Sequence, residues 1–538
     1  MDLHGAFHVY DTTLRDGAQQ EGLNLSLADK LTIARLIDEL GVGYIEGGWP
    51  GANPRDTEFF RRAPEELDLR HAVLAAFGST RKAGVRAADD PQVAALRDSG
   101  AGVVTLVAKS HPRHVEVALR TTLEENLEMV RDTVAHLRAE GQQVFLDAEH
   151  FFDSYRSDPV YPLEVVRTAA AAGAEVVALC DTNGGMLPGW VGEIVAEVVA
   201  ATGARVGIHA HNDTGCAVAN SIAAVEAGAT HVQGCLNGYG ERTGNADLVT
   251  TVANLELKLG RQVLPDDALR EATRIAHAVA DVTNFPPASR QPYVGTSAFA
   301  HKAGLHASAI KIDPDLYQHM DPAGVGNDMR LLVSDMAGRA SIELKGRELG
   351  FDLSGDRELV TRVTDRVKEL EQAGYTFEAA DASFELLLLE EAEGRRPAYV
   401  EVESWRVITE TPRGRGEHRS PADEALSEAT VKLNAEGVRY VVTGEGNGPV
   451  NALDSALREA IGQAFPEVAK FELIDYKVRI LDQGHGTDAI TRVLIETTDG
   501  ESTWVTVGVG HNVIEASWEA LLDGLTYGLR RHHSRAGS

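Results

Sequence analysis

RVGIHAHND, Arg205 to Asp213, carries the pattern from which the architecture can be built. Val206 and Ile208 alternate as strand residues do, and His209 and His211 follow two positions apart. Side chains at i and i+2 of an extended chain point to the same face. Two imidazoles aimed one way at a strand end form a ready pair of metal ligands. Taken alone, the pair would equally suit two hydrogen-bonded core histidines. Its neighbours along the chain decide between the two readings.

Outward from that stretch, one unit recurs: an apolar run ends in polar residues, and an amphipathic helix follows. The runs begin at Phe7 (FHVYDTT), Gly43 (GYIEGG), His71 (HAVLAAF) and Val103 (VVTLVAK). They continue at Val144 (VFLDAEH), Glu175 (EVVALCDTN), Arg205 and His231 (HVQGCLNG). Between the first two lies SLADKLTIARLIDELG, with Ser26 placed as an N-cap, Gly41 as a C-terminal stop, and Leu31, Ala34, Leu36, Ile37 and Leu40 as a helical stripe. A comparable helix begins near Leu123. Eight such units over roughly 260 residues predict a (β/α)8 TIM barrel. An open doubly wound sheet is the rival, but it usually carries a Gly-rich dinucleotide loop after its first strand, and DTTLRDG is not one.

In such a barrel the C-terminal strand ends share one mouth, where chemistry takes place. These ends carry Asp11, Arg15 and Asp16, then Glu46, Lys109, Asp147 and Glu149. Asp181 and Thr182, His209 and His211, and Asn237, Glu241, Arg242 and Asn245 follow. One polar residue there could be a cap; so many on one rim point to a catalytic site. An aspartate, two histidines and an amide oxygen, without thiolate, suit a catalytic divalent ion such as Mn, Zn, Mg or Co better than a closed structural zinc.

Composition sets the outer bounds. A chain of 538 residues is too long for one core, and a hydrophobic fraction of 43% is ordinary for a globular protein. A formal net charge of -30 argues against nucleic acid and anionic membrane surfaces, both of which need a basic footprint. Cys180, Cys216 and Cys235 show no CxxC spacing, so neither a disulfide framework nor a thiolate site is expected. Acidic Asp2 with no apolar segment after it, and no run of membrane-spanning length, imply a cytoplasmic protein.

Four ordered motifs, DTTLRDGAQQEG (Asp11 to Gly22), LCDTNGG (Leu179 to Gly185), HAHND (His209 to Asp213) and NGYGERTGNADL (Asn237 to Leu248), closely resemble the signatures of the DRE-TIM metallolyases. Within that superfamily the chain resembles the 2-isopropylmalate, homocitrate and citramalate synthase branch. GGWPGANPRDTEFF (Gly47 to Phe60) and FLDAEHFFDSY (Phe145 to Tyr155) are most similar to its citramalate-forming subgroup. The resemblance implies a Claisen condensation of acetyl-CoA with pyruvate, giving (R)-citramalate and CoA on a threonine-independent route to isoleucine. It implies Asp16, His209, His211 and Asn245 as metal ligands, Arg15 beside the keto oxygen and Thr182 at the substrate carboxylate. Asp147 is a further candidate for substrate contact.

Glu149 is the candidate base for the acetyl methyl proton. In HKAGLHASAIKIDPDLYQHM the resemblance adds His306 as a relay histidine, with Tyr317 a further candidate and His301 the competitor. The branch's usual HQDG reads His306-Ala307-Ser308-Ala309 here, which keeps the histidine and alters its neighbours. Gly238, Gly240 and Gly244 suit close backbone approach to a ligand, so Asn237, Gly238 and Gly240 are placed as CoA contacts. Glu241 and Arg242 equally suit an ion pair that stabilises the loop.

The expected organisation is a catalytic barrel over 1–265, helical linker subdomains over 266–395 and an α+β regulatory domain over 396–538. The linker holds helical patterns at Asp267 to Asp281 and Asp356 to Ala373. FELLLLEE (Phe384 to Glu391) reads as buried packing. By resemblance, the linker brings His306 to the barrel mouth of a partner subunit, making the protein a homodimer. The last domain repeats itself at an offset of 64: Gly444, Gly446, Ala452, Ala456 and Leu457 recur as Gly508, Gly510, Ala516, Ala520 and Leu521. Each copy reads strand, GxG turn, helix. The glycines serve packing, and the pseudo-symmetry also resembles the branch's end-product sensor, with isoleucine the implied effector and backbone N–H groups of the turns its carboxylate contacts. TPRGRGEHRSP (Thr411 to Pro421) reads as a mobile loop. Three alternatives stay open: 2-ketoisovalerate or 2-ketoglutarate as acceptor, a metal-dependent lyase, and a non-catalytic amino-acid-binding regulator.

Overall fold

The computed structural model describes residues 7–334, 336–410, 426–481 and 489–536; the Thr411 to Pro421 loop lies outside them. Eight parallel strands close into a barrel: β1 (His8–Asp11), β2 (Tyr44–Gly48), β3 (Val73–Ser79), β4 (Val103–Lys109), β5 (Gln143–Glu149), β6 (Val176–Asp181), β7 (Val206–Ala210) and β8 (His231–Gly234). Closure comes from β8 lying beside β1, with His8 opposite His231 and Asp11 opposite Gly234. Each of the eight apolar runs expected from the sequence forms one of these strands.

The helices around them start and stop where the chain's chemistry says they should. Ser26 caps the Leu27–Leu40 helix by accepting from the Asp29 N–H, and Asp29 returns the bond to the Ser26 N–H. Such a box satisfies two of the four orphan donors of a helix start. The helix ends at Gly41, whose φ of 86° is left-handed. A Cβ there would also meet Pro265 Cδ at 2.3 Å.

The barrel interior is plugged at its N-terminal end. Tyr10, Tyr44 and Phe145 are buried there with His8 and His231. The Tyr44 and Phe145 rings meet edge to face at 5.2 Å, and His231 lies 5.4 Å from Phe145. These large rings fill the lumen as layered side chains do in this fold. A cavity opens toward the C-terminal strand ends.

The chain through Phe299, with Met320–Asp328, forms one compact unit; Ala300–His319 and the chain from Met329 form another. In the second unit, β9 (Ala300–His301) pairs in parallel with β10 (Arg330–Leu331). The Asp381–Glu393 helix buries Phe384, Leu386, Leu387, Leu388 and Leu389, so FELLLLEE is packing. No described helix is long and apolar enough to cross a membrane.

Two antiparallel meanders complete this unit: β11 (Val400–Glu410), β12 (Leu426–Ala435) and β13 (Val438–Gly446), then β14 (Glu472–Ile480), β15 (Thr491–Thr498) and β16 (Thr503–Gly510). Each runs into a helix, Pro449–Gly462 and Val513–Ala536, which is the expected duplication. A Cβ on Gly444 would sit 2.5 Å from Ala456 N, and one on Gly508 2.0 Å from Ala516 O. Gly446 and Gly510 likewise face Ala452 and Ala516 backbone. The repeated glycines and alanines let each helix lie directly on its strand. The core runs across residues 395/396: Val507 of β16 packs with Val333, Ile342 and Phe384, and its N–H donates to Ser383 Oγ at 3.0 Å.

Candidate active site

The open end of the barrel holds a cavity of about 590 Å³, lined by Arg15, Asp16, Asp147, Glu149, Thr182, His209 and His211 among others. They arrive from four strand ends, those of β1, β5, β6 and β7, which is how this fold assembles a site. Asp16 sits on the short turn after β1. Its Oδ2 lies 3.2 Å from His209 Nε2 and 3.8 Å from His211 Nε2. The two Nε2 atoms are 3.3 Å apart. Three lone-pair groups converge on one point with little water access, a geometry that calls for a cation among them.

Asn245 strengthens that fit. It is bridged to His211 through the backbone, and its Nδ2 donates to Tyr239 O at 3.1 Å. That leaves Asn245 Oδ1 buried with no hydrogen-bond partner. A buried orphan acceptor is costly unless something positive meets it. One carboxylate, two imidazoles and an amide oxygen suit a borderline or hard divalent cation.

Burial alone would push the Asp16 carboxyl up, but the charge of Arg15 and the hydrogen bond to His209 hold it well below the usual carboxylate range. Burial would lower the His209 ring; its bond to Asp16 outweighs that and raises it. His211, buried beside His209, is lowered to about 4, so it stays a neutral ligand near pH 7.

Arg15 is fixed from three sides. Its Nε donates to Glu46 Oε2 at 2.6 Å, Nη1 lies 3.6 Å from Asp16, and the guanidinium stacks on Phe77 at 3.7 Å. Glu46 is fully buried and also accepts from Tyr10 Oη at 2.9 Å. Thr182 Oγ1 accepts the His150 N–H at 2.8 Å, leaving its own proton to donate elsewhere. Glu149 is ion-paired with Lys109. Asp147, raised to about 6 by burial and then by the charge of Glu46, accepts from Gln233 Nε2 at 2.8 Å.

The NGYGERTGN loop is used differently from the expectation. Asn237, Gly238 and Gly240 do not line the cavity. Asn237 adopts φ 56° and spends its amide on Ala276 O at 2.9 Å and on Gln291. Gly240, at φ 146°, leaves room for Asn245: a Cβ would be 2.3 Å from Asn245 Nδ2. Arg242 joins Asp213 through two bonds of 2.8 and 2.9 Å and donates to Thr182 O. The glycines therefore shape the loop that presents Asn245, and Arg242 ties three strand ends together.

His306 and Tyr317 belong to the second unit. Their rings stack at 4.1 Å, while His301 lies 5.9 Å from His306. Around them Leu305, Ile312 and Leu316 are 73%, 83% and 58% exposed. A second cavity, of about 550 Å³, lies in the same unit between the start of the Pro449–Gly462 helix and β14, with Asn447, Asn451, Phe471, Leu473 and Tyr476 on its wall. Gly446 and Gly510 are not on that wall.

Sequence reading missed Gln233 and Phe77. Gln233 was detectable: it alternates with His231 on β8, so both face inward with the polar residues of their neighbours. Phe77 is the last residue of the HAVLAAF run, and its role depends on a cross-strand stack with Arg15.

Comparison with known proteins bears on the whole chain. Residues 6–279 match the HMGL-like family, 293–374 the homocitrate synthase post-HMGL domain-like family, and 378–529 the LeuA allosteric (dimerisation) domain. An (R)-citramalate synthase of Streptomyces coelicolor is 68% identical over 98% of both chains. One of Aquifex aeolicus is 48% identical over 97% of this chain and 98% of its own. A probable 2-isopropylmalate synthase of Methanopyrus kandleri is 33% identical over 97% of this chain and 98% of its own.

Proposed function

The chain belongs to the HMGL-like family, in its citramalate synthase group, and is an enzyme of the acyltransferase type; from that premise we propose that it condenses acetyl-CoA with pyruvate to give (R)-citramalate and CoA. The observation that carries the reading is Arg15 and Glu149 lining one cavity with the converging Asp16, His209 and His211.

Asp16, His209, His211 and Asn245 would hold a divalent cation, which would supply Lewis-acid polarisation to the 2-oxo acid carbonyl. Thr182 donates its hydroxyl to the substrate carboxylate. Glu149, its charge balanced by Lys109, removes a proton from the acetyl methyl. The methyl carbon then bonds to the keto carbon, and Arg15 steadies the alkoxide that grows on the keto oxygen. That alkoxide takes up a proton, and water cleaves the thioester to a carboxylate and CoA thiol. Phe77, Val107 and Met129 give the cavity an apolar side suited to the methyl of pyruvate.

The proton for the alkoxide comes, in this reading, from His306 and Tyr317 of a second copy of the chain. Two things support a homodimer with shared sites: the match to a dimerisation domain, and the exposed Leu305, Ile312 and Leu316, which need a cover. Isoleucine acts as the effector, in the second cavity. Its carboxylate meets the start of the Pro449–Gly462 helix, where Gly448 offers no side-chain cap. Its side chain meets Phe471, Leu473 and Tyr476. The repeat glycines serve packing there rather than contact.

CoA-thiol release from acetyl-CoA, measured with pyruvate, 2-ketoisovalerate and 2-ketoglutarate in turn, tests the function. Pyruvate is expected to be the best acceptor by more than tenfold in kcat/KM. A preference for either larger acid would overturn the assignment.

A further inference from the structure

We propose that Gln233, a buried amide on β8 outside the cavity wall, is a positioning residue that fixes His209 in the tautomer able to donate its Nε2 lone pair to a cation. The inference rests on the metal reading given above and deepens it.

The argument is an accounting of donors and acceptors. Gln233 is 1% exposed, so its amide bonds within the protein or not at all. One end lies 2.8 Å from Asp147 Oδ1 and 3.3 Å from His231 Nε2; the other lies 2.9 Å from His209 Nδ1. Asp147 as a carboxylate only accepts, so the end facing it must be the NH2 group. The same NH2 has a second hydrogen for His231, a fully buried ring whose pKa burial pushes far down, leaving it neutral. The oxygen of Gln233 therefore faces His209 Nδ1. An amide oxygen cannot donate, so Nδ1 must carry the proton. In a neutral ring the proton on Nδ1 leaves the lone pair on Nε2, the atom that faces Asp16 and His211.

Although the neutral His231 ring can meet either end, the reversed amide fails at Asp147 and at His209. Its oxygen would oppose the Asp147 carboxylate, and its NH2 would force the His209 proton onto Nε2, into the place where a cation belongs. Outer partners of this kind commonly set ring orientation and ligand basicity, and their loss costs 10–100-fold in metal affinity. Here the outer partner is a neutral amide whose direction is fixed by a carboxylate beyond it. Asp147 thus acts on His209 through Gln233.

The test uses the full-length, metal-stripped protein with Co²⁺ as probe, reading the dissociation constant by titration and the ligand-field absorption of the bound ion. Two variants separate positioning from space-filling. Gln233→Leu keeps the volume but offers no acceptor; Gln233→Glu keeps an acceptor for His209 Nδ1–H, and one proton shared between its other oxygen and Asp147 keeps the outer contact. Positioning predicts that Gln233→Leu weakens Co²⁺ binding about 10–100-fold, while Gln233→Glu stays within about threefold of the parent. A packing role predicts the opposite order, with the apolar variant harmless and the second carboxylate beside Asp147 harmful. If Gln233→Leu does not fold, Gln233→Asn, too short to reach both partners, takes its place with the same expected loss. Tight binding by the apolar or shortened variant, or weaker binding by Gln233→Glu than by either, overturns the proposal.

Asp16→Asn is the control, because Glu467, His532 and His533 form another cluster that could take up Co²⁺. If the parent binds no Co²⁺, or Asp16→Asn binds it as tightly as the parent, the metal reading itself has failed and this inference falls with it. If the parent passes and Gln233→Leu matches it, only the role of Gln233 has failed.

Discussion

Asp16 Oδ2 and His209 Nε2 lie 3.2 Å apart, one from the turn after the first barrel strand and the other from the seventh. Asp16→Asn keeps the shape and removes the charge that two imidazoles face. Turnover is expected to fall by more than about 100-fold, exceeding the 10–100-fold cost of losing an outer partner. Chelation of the parent should abolish CoA release, and an added divalent salt should restore it. Full-rate turnover by chelated enzyme would contradict the site.

Arg15→Lys keeps the positive charge but cannot make both the Glu46 bond and the flat stack on Phe77. The donor at the growing alkoxide would be misplaced, so kcat is expected to drop about 10²–10³-fold. KM for pyruvate should change much less. Steady-state kinetics decide, and a change confined to KM would assign Arg15 to ground-state binding instead.

Glu149→Ala and His306→Ala chains should each be nearly inactive alone. If sites are shared between two copies, random mixing yields heterodimers with one intact site each, and activity should recover to about a quarter of the parent. The mixture need only be unfolded, refolded together and assayed. No recovery means that each chain completes its own site.

Asp11 gives a pH signature in stability. Burial raises its carboxyl to about 7, against an ordinary 3.8. The fold therefore holds the proton more tightly than the unfolded chain does. This stabilisation is complete below about pH 4 and is lost as pH rises through 7. Asp11→Asn keeps the acceptor for the Thr13 N–H and never ionises. Relative to the parent, its melting temperature should be higher at pH 8 than at pH 5. An unchanged difference between the two pH values would show that Asp11 does not titrate in this window.

Leu473→Trp should fill much of the second cavity. The isoleucine concentration that halves turnover is expected to rise more than tenfold. Inhibition with an unaltered midpoint would move the effector elsewhere.

Much of this was legible in the sequence because periodicity and strand-end chemistry are local. The eight barrel strands, the Ser26 to Gly41 helix and the duplicated Gly–Ala pattern all follow from spacing within a few residues. So does the inward pairing of His209 and His211. What was not legible depends on contacts between elements far apart in the chain. Asn237 read as a ligand contact because it sits in a glycine-rich loop, yet its amide is consumed by Ala276 O. Gln233 passed unnoticed because its importance lies in having His209 at one end and Asp147 at the other. Neither relationship has a signature within its own stretch.

The edge-to-face rings of Tyr44, Phe145 and His231 give the barrel a filled floor. A vessel with one doorway fills and empties in sequence: whatever enters first sits deepest, and nothing passes out behind it. For the reaction proposed above, the small 2-oxo acid would precede the bulky thioester, and the CoA thiol would clear the doorway before the new hydroxy diacid. Order of addition would then follow from the architecture, with no moving part required.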